Sequence, residues 1–502
     1  MNSIVLHTYK YHIGGTIRAI ASKSHAHRLI IAASLADIPT RIYINTTSKD
    51  IEATISCMEA LGAVFAPFDG GYDVTPIAAD RAGNKVKKSS AGPADSKEMT
   101  SSSEPAGSIY SVDCGESGST LRFLLPILGI LGLSTSITMH GRLSERPLSP
   151  LYEEMLRHGA TMSPVGTNPF FIKDAMTGGI FNIAGNVSSQ YITGLLLALP
   201  LAKEDSEIRI IGKLESRPYV NITLSVLDMF GIAYEEIPSA ASVNEFTASD
   251  NTASDNTDSD NKEISTIYII KGNQTYHSPS ECTVSGDWSN SAFFLSAGAI
   301  SKDGVTVTGL DLNSPQGDKA IIDLLRRFGA DITFNTVSAS SDPAASPDSS
   351  DTASSLVSAS GLSSITVKGG SLHGIDIDAA DIPDLVPILS AVAATAEGTT
   401  IIRNIERLRI KESDRVKTVI ETLTNLGATI SESKDEDGNA ILLIEGSRTL
   451  PGGIVDSYND HRIAMTAAVL SIACSGPVTI VDPLAVNKSY PTFYEDFDKA
   501  CH

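Results

Sequence analysis

Polar residues that suit anion binding cluster at six places in the chain, each directly before an apolar segment. They lie at 22–28 (SKSHAHR), 114–122 (CGESGSTLR), 185–190 (GNVSSQ), 285–291 (SGDWSNS), 379–384 (AADIPD) and 458–462 (YNDHR). Ser, Asn, Asp and Gly favour the first positions of helices, where backbone N–H groups lack partners and the helix dipole is positive. Helix starts of this kind, if they meet in one place, form a site for an anion.

Cationic side chains recur in four further segments, which follow the predicted strands. These segments are 141–147 (GRLSERP), 213–219 (KLESRPY), 407–415 (RLRIKESDR) and 487–491 (NKSYP). An exposed helix start stabilises an anion by only about 0.3–1 kcal/mol, so a dianion also requires Lys and Arg. We expect the helix starts and the cationic segments after the strands to converge on one site. Charges next to an apolar core are costly without a partner, and we expect a bound anion to be that partner.

Two repeated patterns indicate the elements that position these residues. An amphipathic helix that ends in Gly before a strand recurs at 57–65, 153–162, 226–234, 323–334 and 421–430. A short alternating strand follows an apolar helix at 40–44, 135–139, 207–211, 304–309, 399–404 and 477–481. The period is about 65–75 residues once the polar insertions are set aside. These patterns predict an α/β fold of six βαβ-type units, each with one buried and one outer helix.

Composition narrows the class of protein. The 502 residues suffice for several domains, and the net charge of −21 argues against broad surfaces for nucleic acid or anionic membrane. The apolar runs 121–133 and 191–202 are too short to span a bilayer. Five scattered cysteines without a C-x-x-C pair favour a reduced, cytoplasmic setting over disulfides or a zinc site.

Three polar stretches look foreign to the repeat. They lie at about 78–108, 238–263 and 336–363, and the last two are acidic and rich in Ser. Such composition cannot bury enough apolar area to offset chain ordering, so we predict disordered surface insertions.

The motifs resemble those of the 5-enolpyruvylshikimate-3-phosphate synthase family of enolpyruvyl transferases. The resemblance rests on SKSxxxR at 22–28, GESGSTLR at 115–122, GNVSSQ at 185–190, the segment from IPD to RIKESDR at 382–415, and NDHRIAM at 459–465. It implies a two-domain, inside-out α/β barrel with three units per domain and an active site in the interdomain cleft. One domain would comprise 19–282 and bind mainly shikimate 3-phosphate. The other would combine 1–18 with 283–502 and carry the catalytic acids and most cations for phosphoenolpyruvate.

The resemblance also implies the reaction and its residues. The enolpyruvyl group of phosphoenolpyruvate passes to the 5-hydroxyl of shikimate 3-phosphate through a tetrahedral ketal, and phosphate is released. Proton transfer would fall to Asp384 and Glu412, with Lys23 near both. Shikimate 3-phosphate would contact Ser24, Arg28, Ser188, Ser189, Gln190, Ser216, Tyr219 and Lys411. Phosphoenolpyruvate would contact Lys23, Gly118, Arg142, Arg415, Arg462 and Lys488, with His461 bonding nearby and Asp460 orienting or capping.

No metal motif or nucleotide-binding Gly loop is present, so we expect no cofactor. We expect these two substrates, a monomer, and no nucleic-acid or membrane partner. Three departures from the family pattern lie around the enolpyruvate pocket: the segment 19–24 reads AIASKS where many relatives have Pro-Gly before Ser-Lys, Glu116 stands where Asn is common, and Phe123 where Pro is frequent.

Three other functions remain open at this point. The sister enzyme that acts on UDP-N-acetylglucosamine usually carries a cysteine in the loop corresponding to 141–150, and this chain has none there. An RNA-end cyclase shares the repeated units, but the acidic net charge and the lack of a basic face count against it. A non-catalytic anion-binding scaffold would keep the cations but would not need Asp384 and Glu412.

Overall fold

The computed structural model describes residues 2–77, 109–238, 263–336 and 362–501. The predicted insertions at 78–108, 238–263 and 336–363 lie outside the described residues, apart from a few residues at their ends. Within the described residues the chain forms an α/β fold of six small sheets and the helices between their strands.

Buried and outer helices alternate along the chain, as the repeat predicts. In chain order the helices are α1 Lys23–Ser34, α2 Lys49–Ala60, α3 Gly118–Leu131, α4 Leu151–Arg157, α5 Ser189–Ala198, α6 Arg217–Met229, α7 Trp288–Ile300, α8 Ile321–Phe328, α9 Val386–Ala393, α10 Arg415–Asn425, α11 His461–Leu470 and α12 Phe493–Lys499. The six odd-numbered helices from α1 to α11 are the apolar ones, and most of their residues are buried.

Strands β1 to β12 occupy the first half of the chain. They are β1 Ser3–Leu6, β2 Thr16–Arg18, β3 Thr40–Tyr43, β4 Val64–Phe68, β5 Gly71–Thr75, β6 Tyr110–Asp113, β7 Thr135–Thr138, β8 Thr161–Met162, β9 Phe170–Lys173, β10 Ile180–Ala184, β11 Ser206–Ile211 and β12 Tyr234–Pro238. The second half holds β13 Ile264–Ile270, β14 Glu281–Thr283, β15 Val305–Asp311, β16 Asp331–Thr336, β17 Leu362–Lys368, β18 Asp376–Asp378, β19 Thr399–Arg403, β20 Thr429–Lys434, β21 Ala440–Glu445, β22 Gly453–Asp456 and β23 Val478–Val481.

Each complete unit joins a parallel pair of strands to an antiparallel hairpin. In the third unit β10 runs parallel to β11 across the buried helix α5, and β13 then pairs antiparallel with both β11 and β12. The outer helix of a unit ends at a glycine with positive φ, as at Gly62, Gly231 and Gly329. Only glycine adopts this conformation without strain, so these glycines end the helix and turn the chain into the next strand.

Two units exchange their first strands. Where the repeat would pair β2 with β3 and β14 with β15, β2 instead runs parallel to β15 and β14 parallel to β3. The two crossing segments lie side by side, since Ala21 forms a bridge with Gly286. The chain therefore passes twice, at adjacent places, between the two parts of the molecule.

The buried apolar residues form two separate cores. The first core takes residues between Ala21 and Val284, and the second takes Ile13 to Ile20 together with residues from Trp288 to Ala500. The division into two domains at residues 19 and 282 remains a proposal, and the change of core lies about two residues beyond each of these boundaries, after Ile20 and after Val284. No sheet of the described residues closes into a barrel. No helix in the described part of the chain is long and apolar enough to cross a membrane.

Candidate active site

Five of the six buried helices begin with a side chain that caps them. Ser22, Ser117, Ser188, Asp287 and Asp460 each accept a hydrogen bond from a backbone N–H of the first turn. The sixth helix, α9, follows a 3-10 turn that carries Asp384. Capping leaves the remaining N–H groups of these helix starts available to an anion.

One cleft gathers residues from these helix starts and from the loops that follow the strands. It contains all but two of the predicted site residues: Lys23, Ser24, Arg28, Gly118, Ser188, Ser189, Gln190, Ser216, Tyr219, Asp384, Lys411, Glu412, Arg415, His461 and Arg462. Because the lining comes from both sides of the two chain crossings, the cleft lies between the two halves of the molecule.

The other two predicted residues lie outside this cleft. Arg142 is exposed, and its Nε is 3.6 Å from a carboxylate oxygen of Glu145. Lys488 lines an adjoining pocket of about 340 Å³, which shares Asp50 with the main cleft. The roles of both residues in substrate binding stay predictions.

A hydroxyl-rich region forms one end of the cleft. Ser188 and Ser189 lie at the start of α5, and Ser216 precedes α6 with a left-handed φ of 55°. The Nη1 of Arg407 donates to Oγ of Ser216 at 2.7 Å. Short hydroxyl side chains beside an arginine and a helix start suit a phosphate group.

Arg28 is buried beside this region and is held from three directions. It donates to Thr223 Oγ1 at 2.8 Å, to Thr193 Oγ1 at 3.1 Å and to the carbonyl oxygen of Tyr219 at 2.9 Å. Burial lowers the pKa of Arg28 to about 9, which still leaves the guanidinium charged at neutral pH. No carboxylate is among these partners, so its charge remains available to an anionic ligand.

Asp384 is surrounded by cations in the middle of the cleft. Its Oδ1 accepts from Arg415 Nη1 at 2.8 Å and from Lys411 Nζ at 3.3 Å, and its Oδ2 lies 3.3 Å from Arg462 Nη2. The hydroxyl of Tyr219 donates to Oδ2 at 2.9 Å. Burial disfavours the ionised form, but Arg462, Lys411 and Arg415 outweigh it and hold the pKa of Asp384 well below its ordinary value.

Glu412 lies one turn before Arg415 and faces the same cations. Its Oε2 accepts from Arg415 Nη2 at 2.7 Å, and its Oε1 is 3.5 Å from Arg146 Nη1. Burial again opposes ionisation, but Arg415 and then Arg146 hold the pKa of Glu412 well below its ordinary value. In this structure Glu412 is therefore a carboxylate.

Asp460 links the start of α11 to the cation at the centre of the cleft. Its Oδ1 accepts from the backbone N–H of Arg462 at 3.0 Å, and its Oδ2 accepts from Arg415 Nε at 2.8 Å and Ser413 Oγ at 2.9 Å. It thus both caps the helix and orients Arg415, which agrees with the orienting role suggested for it.

His461 follows Asp460 and lines the cleft. Both of its ring nitrogens are buried and have no hydrogen-bond partner among the described residues. Burial and the nearby charge of Lys23 hold the pKa of His461 well below its ordinary value, so the ring is neutral. A neutral imidazole with free nitrogens can donate to, or accept from, a ligand in the cleft.

The cleft also contains charged residues that the sequence interpretation did not select. Arg122 donates to Gln190 Oε1 at 2.9 Å, Asp50 accepts from Lys23 Nζ at 2.8 Å, and Arg146 and Arg407 take the places described above. Arg146 and Arg407 lie in two of the cationic segments that the sequence singled out. The sequence pattern does not indicate which cation of such a segment faces the cleft.

No group of three or more His, Cys, Asp or Glu side chains among the described residues is arranged to hold a metal ion. The site instead combines helix starts, cations and two ionised carboxylates. Together with the six α/β units, two of which exchange their first strands, it defines an α/β protein of the enolpyruvyl transferase fold.

Comparison with known proteins gives the family. The family model for EPSP synthase (3-phosphoshikimate 1-carboxyvinyltransferase) matches residues 8–245 and 258–497. A 3-phosphoshikimate 1-carboxyvinyltransferase from Clostridium novyi is 38% identical over 488 residues, which cover 97% of this chain and 95% of the relative. One from Clostridium acetobutylicum is 38% identical over 486 residues, covering 96% and 94%. The chain belongs to the EPSP synthase family.

Solved structures agree on the fold. An EPSP synthase from Acinetobacter baumannii superposes with a TM-score of 0.69 at 23% identity and covers 99% of this chain and 98% of its own. The enolpyruvyl transferase NikO from Streptomyces tendae gives a TM-score of 0.63 at 16% identity, covering 98% and 96%. The predicted fold class is thereby confirmed.

Proposed function

We propose that this protein transfers the enolpyruvyl group of phosphoenolpyruvate to the 5-hydroxyl of shikimate 3-phosphate and releases phosphate. Membership of the EPSP synthase family supports this reaction over transfer to UDP-N-acetylglucosamine. The observation that carries the proposal at the site is the pair of carboxylates, Asp384 and Glu412, held ionised by the cations around Arg415. An anion-binding scaffold has no need of such a pair.

Shikimate 3-phosphate would bind at the hydroxyl-rich end of the cleft. Ser188, Ser189 and Ser216 would donate to its phosphate, beside the charge of Arg407. Arg28 and Ser24 would take its ring carboxylate. Lys411 and Gln190 would then contact ring hydroxyls, which places the 5-hydroxyl toward Asp384.

Phosphoenolpyruvate would bind next to the first substrate, toward the starts of α1 and α11. Lys23, Arg415 and Arg462 line this part of the cleft, and His461 has free ring nitrogens there. Gly118 starts α3, and a Cβ atom there would come within 2.6 Å of Arg122 Nη1 and 2.7 Å of Arg146 Nη1. Glycine at this position therefore allows both arginines and a ligand to approach the backbone at the start of α3.

Asp384 is suited to take the proton of the 5-hydroxyl. Its low pKa keeps it ionised, and the donors around it fix the orientation of its two oxygens. As the hydroxyl adds to C2 of the enol, the proton passes to Asp384 and the methylene carbon gains a proton. The cations around both substrates offset the repulsion between their phosphates and stabilise the charge that develops.

Glu412 is suited to exchange protons with the methylene carbon once both substrates are bound. As a carboxylate beside Arg415 and Arg146 it is a base, not an acid. A substrate anion that pairs with the same cations would raise the pKa of Glu412 by adding like charge nearby. Glu412 would then bind a proton, donate it to the methylene carbon during addition and take a proton back from that carbon during elimination. Asp384 would pass the hydroxyl proton to the departing phosphate. Lys23, whose Nζ contacts Asp50, would assist at the same end of the cleft.

The proposed function is tested by phosphate release from phosphoenolpyruvate. We expect rapid release with shikimate 3-phosphate and only background release with UDP-N-acetylglucosamine. Release that depends on the nucleotide sugar would contradict the proposal, and release with neither acceptor would favour a non-catalytic scaffold.

We also propose that the protein works as a cytoplasmic monomer of two domains, 19–282 and 1–18 with 283–502. The separate cores support this division. Sedimentation of the purified chain at working concentration should give a single species of about the 52.9 kDa monomer mass. A species of twice that mass would contradict the monomer.

A further inference from the structure

Glu116 lines the pocket that adjoins the cleft and contacts Lys488 there. Its Oε2 accepts from Nζ of Lys488 at 2.7 Å and from Nδ2 of Asn459 at 2.9 Å. Glu116 lies two residues before α3, which packs in the first core, whereas Lys488 and Asn459 belong to the half built on the second core. The ion pair therefore joins the two halves of the chain next to the proposed phosphoenolpyruvate site.

The two partners differ in how firmly they are held. Lys488 is 9% exposed, ends a 3-10 turn from Pro483, and also donates from Nζ to the carbonyl oxygen of Asn459 at 2.6 Å. Glu116 is 31% exposed and follows Gly115, whose φ of +55° bends the loop. Glu116 is thus the partner that can move away, while Lys488 stays in place.

Gly141 makes room for the Glu116 carboxylate. Its φ is +54°, and a Cβ atom built on it would lie 2.5 Å from Glu116 Oε2. Gly141 immediately precedes Arg142, one of the cations predicted for phosphoenolpyruvate. The carboxylate therefore lies against the backbone next to Arg142 and contacts Lys488 at the position from which a substrate anion would do so.

We propose that Glu116 is a positioning residue that acts through Lys488 and sets the affinity for phosphoenolpyruvate. Its carboxylate stands in for the substrate anion and holds the two halves together, and it releases Lys488 when phosphoenolpyruvate enters. Because substrate and side chain compete for one cation, the ion pair weakens substrate binding without taking part in proton transfer. This inference rests on the proposed function.

The test compares steady-state kinetics of the full chain with those of Glu116→Gln, which keeps the size of the side chain and removes its charge. We expect KM for phosphoenolpyruvate to fall about three- to tenfold, the effect of removing one partly buried competing ion pair. We expect KM for shikimate 3-phosphate and kcat to change by less than about twofold. Glu59→Gln removes an exposed charge from α2 in the same half and should leave all three constants unchanged.

A double-mutant cycle separates action through Lys488 from a general charge effect. In the Lys488→Ala background, Glu116→Gln should no longer lower KM for phosphoenolpyruvate. A KM that is unchanged or higher in the single variant, or an equal fall in both backgrounds, would overturn the inference.

Small-angle scattering of the unliganded chain tests the inference without depending on enzyme activity. Glu116→Gln should increase the radius of gyration of the unliganded chain, because one bond between the halves is lost, and Glu59→Gln should not. If the unsubstituted chain shows no turnover with shikimate 3-phosphate, the proposed function fails. Scattering alone then tests the ion pair between Glu116 and Lys488, and an unchanged radius of gyration in Glu116→Gln would overturn the inference.

Discussion

Arg415 is the residue on which the charges of the cleft converge. It is 1% exposed and contacts three carboxylates: Asp384 at 2.8 Å, Glu412 at 2.7 Å and Asp460 at 2.8 Å. Burial disfavours its charge, but Asp460, Glu412 and Asp384 together raise the pKa of Arg415. Asp460 also caps α11, and proton transfer is the task proposed for Asp384 and Glu412.

The Asp384→Asn substitution should separate chemistry from binding. Asparagine keeps the shape of the side chain but its amide is too weak a base to take the hydroxyl proton, so we expect kcat to fall by at least about 100-fold. KM for phosphoenolpyruvate should change far less. Asp381→Asn, an exposed neighbour in the same loop, serves as the control. Near-normal kcat in a folded Asp384→Asn protein would remove Asp384 from the mechanism.

The Asp460→Asn substitution should cost stability in a pH-dependent way. Arg415 keeps Asp384 and Glu412 as partners, so the loss costs about 1–3 kcal/mol rather than the larger cost of an unpaired buried charge, and asparagine preserves the cap. Burial opposes ionisation of Asp460, but Arg415 holds its pKa below the ordinary value. The stabilisation is therefore complete above the unfolded-state pKa, about 3.9, and is lost as pH falls through the lower folded-state pKa.

Denaturant unfolding of both proteins at several pH values measures this effect. The difference in unfolding free energy should be constant above about pH 5 and should shrink below about pH 4. A difference that persists or grows on acidification would show that Asp460 does not act through its charge.

At the scale of elements, a glycine allows two of the buried helices, α3 and α5, to pack closely against each other. At Gly194 in α5 a Cβ atom would lie 2.3 Å from the carbonyl oxygen of Arg122 in α3. We expect Gly194→Ala to lower the unfolding free energy by about 1–3 kcal/mol through overpacking. It should also disturb Arg122, which donates to Gln190.

Gly129→Ala in α3 is the matched control for this substitution. Its nearest neighbours are side-chain atoms of Met155 at 3.3 Å and Met176 at 3.4 Å, which can adjust. Denaturant unfolding should show little loss in this variant. An equal loss in both variants would mean that contact with the Arg122 backbone is not the cause.

The hairpin of β12 and β13 allows the second insertion to be removed. Pro238 pairs with Thr266, so the two ends of the intervening segment are adjacent. Deleting 240–261 leaves residues 239, 262 and 263 between the two strands, a length common in hairpins. The family model also leaves 246–257 unmatched. We expect unchanged kinetics and a melting temperature within a few degrees; loss of cooperative unfolding would make the segment structural.

Local patterns predicted the elements well but not their long-range pairing. The six strands are predicted from the alternation of apolar residues within short windows. The ends of the outer helices are predicted from glycine, which favours the positive φ found there. The exchange of β2 and β14 depends on contacts between residues almost 300 positions apart, such as Thr306 with Thr16, and leaves no local signal.

The sequence also does not predict which way the side chains of the cationic loops point. Arg142 and Arg146 belong to one motif, and only the backbone path shows that Arg146 faces Glu412 while Arg142 faces solvent. The Lys23 contact with Asp50 also depends on how α1 and α2 pack, which the motif around Lys23 does not contain.

The whole molecule combines a net charge of −21 with a cleft rich in cations. Since the substrates are polyanions, the surface repels them while the cleft focuses the opposite potential inside. The two adjacent chain crossings provide few covalent links between the halves, which suits closure around the substrates and opening for release.

A crystal structure of the protein with shikimate 3-phosphate tests the central claim most directly. We expect the phosphate within hydrogen-bond distance of Ser188, Ser189 and Ser216, and the 5-hydroxyl within about 3 Å of an Asp384 oxygen. A ligand bound away from these residues, or with its 5-hydroxyl turned from Asp384, would contradict the account.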